Sequence, residues 1–162
     1  LNHVEVTTEI RSEYLQAVSA FRRLNNSDTK DYDNYERDRE LSALLETNKF
    51  ISLKEKEEFI LSITENGYGK RSSAFEYRLT NRGGSGIINI VTSKRNGPVV
   101  GSFSVENKDQ IMLVTDRGKL IRSPVLDVRI AGRNTQGVTL FNTSEDEKVV
   151  SVARLAENVD EN

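Results

Sequence analysis

The stretch of sequence that decides the fold occurs twice, as TENGYGKR at residues 64–71 and as TDRGKLIR at residues 115–122, an offset of 51 positions. Both copies follow a run of β-forming apolar residues and reach a glycine inside a short polar turn. Asn66-Gly67 favours a tight hairpin turn, because the central residues of that turn need positive φ. Each copy therefore predicts a β-hairpin, and the offset predicts an internal repeat of about 50 residues.

The identity between the two copies extends well beyond the hairpin turn. At one offset it holds for the pairs Thr64 and Thr115, Gly67 and Gly118, Arg71 and Arg122, Ser72 and Ser123, Arg78 and Arg129, Arg82 and Arg133, and Gly86 and Gly137. After a slip of one residue, Val99-Val100 also matches Val149-Val150. Since three arginines and two glycines recur in one register, we interpret this region as two copies of one structural unit.

The two copies share one predicted order of strands. After the hairpin comes a loop that contains arginine and glycine, at residues 82–86 or 133–137, and two short apolar strands follow it. These strands are predicted at residues 87–91 and 99–105 in the first copy and at residues 138–141 and 149–153 in the second. Four strands in about 50 residues is typical of a propeller blade.

The N-terminal third of the chain has a different pattern. Apolar side chains at positions 14, 15, 18, 21 and 24 fall at helical spacing, which predicts a helix over residues 8–24. A second helix is expected over residues 36–46, and a helical turn from Ser52 with Glu55 as its capping-box partner. Residues 4–7 alternate like a strand.

Charge divides the chain in a similar way. Residues 1–58 carry a net charge of −4, residues 59–154 carry +5 and residues 155–162 carry −3. A basic body between acidic ends favours a polyanionic partner. We predict the end of a preceding blade and a helical spacer at residues 1–58, blades at residues 59–107 and 108–155, and an acidic tail at residues 156–162.

Four stretches of the basic body can be compared with the motifs of known families: TENGYGKR at 64–71, NRGG at 81–84, DQIMLVT at 109–115 and RIAGRNTQGV at 129–138. Together they resemble the C-terminal DNA-wrapping domain of the gyrase A family of bacterial topoisomerases, over residues 59–155. The resemblance implies a mainly β fold: a partial β-pinwheel or β-propeller of two four-stranded blades, preceded by an N-terminal α-helical spacer. It implies a non-catalytic part that binds, bends and wraps DNA, supporting ATP-dependent negative supercoiling by the holoenzyme.

The resemblance also implies partners and a location. The partners are double-stranded DNA, the gyrase B subunit, and the rest of the gyrase A subunit, in the bacterial cytoplasm at the nucleoid. No cofactor is expected in this part, since ATP and Mg²⁺ belong to other parts of the holoenzyme. Two alternatives stay open: the corresponding module of the A subunit of topoisomerase IV, and a propeller that serves as a platform for binding proteins.

Arginine and lysine in the repeats are the candidate DNA-binding residues. Recurring cations would meet phosphates regardless of base sequence, and the planar guanidinium group engages phosphate oxygens in pairs. The predicted set is Lys70, Arg71, Arg78, Arg82, Lys94, Arg95, Arg117, Lys119, Arg122, Arg129 and Arg133. For any one of these cations, an internal ion pair, for example with Glu76 or Asp127, is an alternative.

No catalytic or metal-binding residue is predicted. The chain has no cysteine, and its one histidine, His3, has no serine or carboxylate partner at an interpretable spacing. None of the five tyrosines stands in a context that resembles the cleavage loop of a topoisomerase. The longest apolar runs are strand-sized, shorter than the ~20 residues of a membrane span, so no membrane partner is expected.

Overall fold

The structure, a computed structural model, describes residues 7–26, 33–78, 82–144 and 146–156. The chain divides into two compact units, Leu1–Glu57 and Glu58–Asn162. The strand predicted at residues 4–7 lies almost wholly outside the described residues, and so do His3 and nearly all of the acidic tail. The predictions for those residues therefore stay predictions.

The first unit is helical. Helix α1 spans Thr8–Asn26, α2 spans Tyr35–Ala43 and continues into a 3₁₀ turn, and α3 spans Asn48–Glu55. These elements confirm the two longer predicted helices, whereas α3 begins four residues before the expected start at Ser52. The helix begins earlier because Thr47, whose own backbone is extended, already accepts the first bonds of the helix from the N–H groups of Phe50 and Ile51.

Three side chains of α1 show why the first unit packs. Tyr14, Ala17 and Ala20 are spaced three residues apart and are at most 1% exposed. The ring of Tyr14 meets that of Phe50 edge to face, with centroids 5.7 Å apart. Because two of the three buried residues are alanines, neighbouring backbone can approach α1 closely.

In the described residues of the second unit, seven strands form two antiparallel sheets. Their bounds are β1 Phe59–Thr64, β2 Tyr68–Ser73, β3 Val99–Val105, β4 Gln110–Thr115, β5 Leu120–Pro124, β6 Val138–Thr139 and β7 Val149–Leu155. One sheet has the order β3-β1-β2-β6 and the other the order β5-β4-β7. The mainly β fold with N-terminal helices is therefore as expected.

The internal repeat is visible in the strands themselves. Strand β4 begins 51 residues after β1, and each is the middle strand between its hairpin partner and the last strand of its own copy. Both central strands have an irregularity at the same place, between Ile63 and Thr64 and between Val114 and Thr115. The hairpin turns contain Gly67 at φ 77° and its counterpart Gly118 at φ 79°, as the sequence predicts, whereas Asn66, for which positive φ was also predicted, does not adopt it.

The composition of the blades differs from the prediction. Residues 87–91 form no strand, and the strand predicted at residues 138–141 is reduced to β6, which pairs with β2 of the first copy. The first sheet thus has four strands only because it takes one from the second copy. The described residues before β1 are helical, so they offer residues 87–91 no equivalent sheet edge.

The core of the second unit is shared by the two copies. Leu61 and Ile63 of β1 lie in one cluster with Ile111 and Leu113 of β4, and all four are at most 1% exposed. Burial of apolar area from both sheets therefore stabilises them together. Among the helices of the described residues, none combines the length and apolar composition that a membrane span requires.

Candidate nucleic-acid interface

The first group of exposed cations surrounds the hairpin turns of the two copies. We call it the hairpin-turn cluster, and it contains Lys94, Arg95, Arg117 and Lys119. The side-chain amide of Asn66, at the tip of the first hairpin, donates to the carbonyl oxygens of Lys94 at 3.2 Å and Arg95 at 3.0 Å. The loop that carries these two cations is therefore fixed to the turn.

Arg95 is held in place by an aromatic side chain. Its guanidinium carbon lies 5.2 Å from the ring centroid of Tyr68, and its Nε donates to the phenol oxygen at 3.1 Å. This hydrogen bond from Arg95 lowers the pKa of the Tyr68 phenol from its ordinary value. The stacked arrangement limits the rotamers of Arg95 while leaving it exposed to a phosphate.

Lys148 is a cation that the sequence-based prediction missed. Its ammonium donates to the side-chain oxygen of Asn66 and lies 3.8 Å from a carboxylate oxygen of Glu65. Its backbone carbonyl accepts from the N–H of Asp116 at 2.9 Å. Lys148 thus joins the hairpin turns of the two copies. A signal was present in the sequence, since Lys148 stands beside the matched Val149-Val150.

The second group of cations lies on the loops that follow the hairpins. We call it the glycine-loop cluster, and it contains Arg78, Arg82 and Arg133. A terminal nitrogen of Arg133 donates to the carbonyl of Ile88 at 2.6 Å, and one of Arg78 donates to that of Ser85 at 3.2 Å. The loop of the second copy is therefore held against the corresponding loop of the first.

One continuous segment, residues 88–96, connects the two clusters. The N–H of Val91 donates to the carbonyl of Thr135 at 3.1 Å. The buried amide of Asn96 donates to the carbonyls of Val91 at 2.9 Å and Gln136 at 3.1 Å. The segment is thus bonded along its length to the loop of the second copy. It carries the exposed Lys94 and Arg95 near one end and accepts a hydrogen bond from the half-buried Arg133 at the other.

Lys70 lies inside the protein, which corrects its prediction as a phosphate contact. The residue is 0% exposed, and its ammonium donates to the carbonyls of Gly132 and Arg133, each at 2.6 Å. A third donor reaches the hydroxyl of Thr135 at 3.3 Å. Lys70 was predicted as a phosphate contact because it is a cation of the repeat, but both faces of β2 are covered.

Arg71 is also buried, at 4% exposure, so it too is corrected as a phosphate contact. Its Nε donates to the carbonyl of Val128 at 2.8 Å, and its terminal nitrogens donate to Asn107 at 2.7 Å and to the carbonyl of Leu126 at 3.2 Å. It also lies 5.5 Å from the ring centroid of Phe59. Arg71 therefore fastens the first copy to the second.

Arg122, the repeat counterpart of Arg71, is exposed on β5 and donates to the side chain of Gln110. Arg129 is exposed as well, and its carbonyl accepts from the N–H of Arg71 at 2.9 Å. The contacts that connect the two clusters do not pass through either residue. Equivalent arginines of the two copies thus have different surroundings: Arg71 is buried and Arg122 is exposed.

Lys119 has an internal partner in addition to its exposed position. Its ammonium lies 2.6 Å from the carboxylate of Glu147, whose side chain is 0% exposed. The carboxylate also accepts from the hydroxyl of Thr115 at 2.8 Å and from the N–H of Ser144 at 3.0 Å. The hydrogen bond from Lys119, followed by that from the Ser144 N–H, lowers the pKa of Glu147 to about 2.

Within the described residues, no group of three or more histidine, cysteine or acidic side chains is placed to hold a metal ion. The Glu76 carboxylate is used differently, since it accepts from the backbone N–H of Arg133 at 2.8 Å. The alternative of an internal ion pair is therefore confirmed for Lys119, whereas the bond from Arg133 to Glu76 comes from the backbone N–H and is not an ion pair.

The sequence of the second unit matches a known family. The model of the DNA gyrase C-terminal domain, a β-propeller, matches residues 58–106 and again residues 109–156. The chain belongs to the DNA gyrase C-terminal domain family. The two matches follow the two copies of the repeat, so each copy corresponds to one unit of that domain.

Curated relatives within the DNA gyrase family extend the likeness to the whole chain. The gyrase A protein of Rickettsia bellii (strain RML369-C) is 46% identical over 162 residues, which is 100% of this chain and 17% of the relative. That of Granulibacter bethesdensis (strain ATCC BAA-1260 / CGDNIH1) is 46% identical over 171 residues, 100% of this chain and 18% of the relative. The chain therefore spans less than a fifth of the length of these relatives.

Solved structures of gyrase-type C-terminal domains share the fold. A structure of the DNA gyrase A C-terminal domain matches with a TM-score of 0.57 and 28% identity, over 62% of this chain and 34% of that one. The crystal structure of the C-terminal domain of DNA topoisomerase IV matches with a TM-score of 0.55 and 24% identity, over 60% of this chain and 30% of that one. The second likeness shows the fold alone.

Proposed function

We propose that this chain binds duplex DNA through its phosphates, without preference for base sequence, and bends it as part of a gyrase A subunit. The observation that carries the proposal is the pair of exposed cation clusters joined by residues 88–96. The net charge of +5 over residues 59–154 supports it, because it attracts a polyanion. In a complete subunit, this wrapping would support negative supercoiling.

The physical basis is the neutralisation of phosphates. Each cation that contacts a phosphate releases condensed counterions, and this gain offsets the elastic cost of bending, about 1–6 kcal/mol for a site of 20–30 base pairs. Guanidinium groups suit the task because their paired N–H donors match phosphate oxygens. Contacts of this kind position DNA without reading its bases.

The corrected interface contains nine of the eleven predicted cations together with Lys148. The exposed candidates are Arg78, Arg82, Lys94, Arg95, Arg117, Lys119, Arg122 and Arg129, and Arg133 is half-buried. We assign the main contacts to the hairpin-turn and glycine-loop clusters, and peripheral contacts to Arg122 and Arg129. Lys70 and Arg71 are left out, since their donors are engaged inside the protein.

The partners proposed are duplex DNA, a gyrase B subunit, and the remainder of a gyrase A subunit, in the bacterial cytoplasm. Hydrolysis of ATP and use of Mg²⁺ are assigned to other parts of that holoenzyme, and this chain to DNA geometry alone. The likeness to gyrase A proteins over the whole chain supports this assembly.

The test is a titration of the complete subunit with duplex DNA at several salt concentrations. Log K should fall linearly with log[salt], and Arg95→Ala should make the slope shallower by about one phosphate contact, equally for unrelated DNA sequences. Lys108→Ala is the matched control, because Lys108 is exposed outside both clusters and pairs with Glu106. A flat salt response would instead favour a platform that binds proteins.

A second measurement addresses the assembly. The complete subunit, combined with a gyrase B subunit, should introduce negative supercoils in the presence of ATP. In a variant that carries both Arg95→Ala and Arg133→Ala, the supercoiling activity should fall more than the relaxation activity. Relaxation and decatenation without negative supercoiling in the unaltered protein would reject the gyrase assignment in favour of the topoisomerase IV alternative.

A further inference from the structure

Lys70 has surroundings that are unusual for a lysine. An ammonium group removed from water is costly unless oxygen acceptors replace the lost hydration. Here the three donors of one ammonium are matched by three oxygens, two carbonyls and one hydroxyl, all within residues 132–135. The side chain is 0% exposed, so water does not compete with these bonds.

The loop that Lys70 holds is the one that presents Arg133. The hydroxyl of Thr135 donates to the carbonyl of Gly132 at 2.8 Å, and this closes the turn around the ammonium. On the main chain of Arg133, the carbonyl faces Lys70 and the N–H donates to Glu76 at 2.8 Å. Both backbone polar groups of Arg133 are therefore fixed from within the protein.

We propose that Lys70 is a positioning residue for DNA binding: its buried ammonium turns the carbonyls of residues 132 and 133 inward and thereby fixes Arg133 at the surface. The inference rests on the proposed function, because it assumes that Arg133 contacts a phosphate. Carbonyl oxygens turned outward would repel a phosphate, so the inward orientation also leaves a surface better suited to an anion.

The repeat shows that this device is specific to one junction. The residue that corresponds to Lys70 in the second copy is Ile121, which carries no donor. The cation at position 70 is therefore no requirement of the strand itself, since an apolar residue serves at the equivalent place in β5. What differs is the loop that packs against the strand. At β2 this loop is residues 132–135 of the second copy, which supply the carbonyls that Lys70 binds.

The charge state of Lys70 provides a readout. Burial, opposed by Glu76 and assisted by Arg133, lowers the pKa of Lys70 to about 8. Tyr77, beside the same two groups, has its phenol pKa raised by burial, so it stays neutral below pH 10. Between pH 7 and 9, Lys70 loses its charge. The neutral amine has one donor fewer for the three oxygens, and it no longer adds its positive charge to the attraction that Arg133 exerts on a phosphate.

The experiment measures the affinity of the complete subunit for duplex DNA from pH 7 to pH 9 at constant salt. The unaltered protein should lose affinity with a midpoint near pH 8. Lys70→Met should bind about tenfold more weakly at pH 7, the loss expected when one charge-assisted contact is no longer positioned, and show no such midpoint. Lys108→Met is the matched control: it removes an exposed lysine outside both clusters and should keep both the affinity and the midpoint.

Thr135→Val keeps the inference testable if Lys70→Met fails to fold, since it removes one acceptor and leaves the cation in place. It should weaken binding at pH 7 by less than Lys70→Met would. Unchanged affinity in a folded Lys70→Met protein, or a pH-independent affinity of the unaltered protein, would overturn the positioning role. Loss of salt-dependent DNA binding in the unaltered protein would instead overturn the proposed function.

Discussion

The ammonium of Lys119 lies 2.6 Å from the carboxylate of Glu147, a contact that joins the second hairpin to the loop before β7. The two residues are 28 positions apart in sequence. Two further groups donate to the same carboxylate, the hydroxyl of Thr115 and the backbone N–H of Ser144. Glu147 therefore holds the hairpin end of the second sheet together as a charged group.

Glu147→Gln should lower the free energy of unfolding at neutral pH, in a pH-dependent way. The pKa of Glu147 falls from an ordinary value of 4.5 to about 2 in the folded protein. A lowered carboxyl pKa stabilises the folded state above the unfolded-state pKa, and that stabilisation is lost as the pH falls through the folded-state value. The difference between the two proteins should thus be constant above pH 5 and shrink towards pH 2, as measured by urea denaturation.

The control for this measurement is Glu46→Gln, which makes the same chemical change at an exposed position. Its effect on stability should stay within about 0.5 kcal/mol. An equal loss of stability in Glu147→Gln at pH 2.5 and pH 7 would contradict the role of the charge and indicate a purely steric effect of the amide.

The repeat and its hairpins could be predicted from the sequence because they depend on local signals. An apolar run at residues 59–64 or 111–115, the turn glycine that follows it and the fixed offset of 51 positions are all visible in the sequence. The assignment of β6 could not be predicted in this way. A two-residue strand pairs with β2 across some 70 positions, and its own residues carry no information about which edge it joins.

The surroundings of each cation were the least predictable feature. Arg71 and Arg122 occupy equivalent places in the two copies of the repeat, yet one is buried and the other exposed. The difference arises because residues 126–131 of the second copy pack against Arg71. Within the described residues, β5 pairs with β4 alone. The burial of each arginine therefore depends on which residues of the other copy pack against it, and the motif within one copy does not encode that packing.

Replacing each of these two arginines with alanine should have different effects, one mainly on the free energy of unfolding and the other mainly on DNA binding. Arg71→Ala leaves the carbonyls of Val128 and Leu126 without their donor, and should cost about 2–4 kcal/mol of unfolding free energy. Arg122→Ala should change stability by about 0.5 kcal/mol or less and weaken DNA binding modestly. Denaturation and DNA titration of both variants provide the comparison, and equal destabilisation by the two would contradict the structure.

Among the glycines of the loops at residues 82–86 and 133–137, Gly137 should tolerate alanine least. Its φ of 77° is disfavoured for alanine, and an added Cβ would lie 2.7 Å from the carbonyl oxygen of Gly69, where β6 joins β2. Gly137→Ala should therefore lower the unfolding free energy by about 1–3 kcal/mol. The control is Gly86→Ala, at the equivalent position of the first copy, where a Cβ would meet nothing within 4 Å. Urea denaturation should show Gly86→Ala unchanged or slightly stabilised, because alanine restricts the unfolded chain. A similar loss in both variants would mean that β6 does not depend on this close approach.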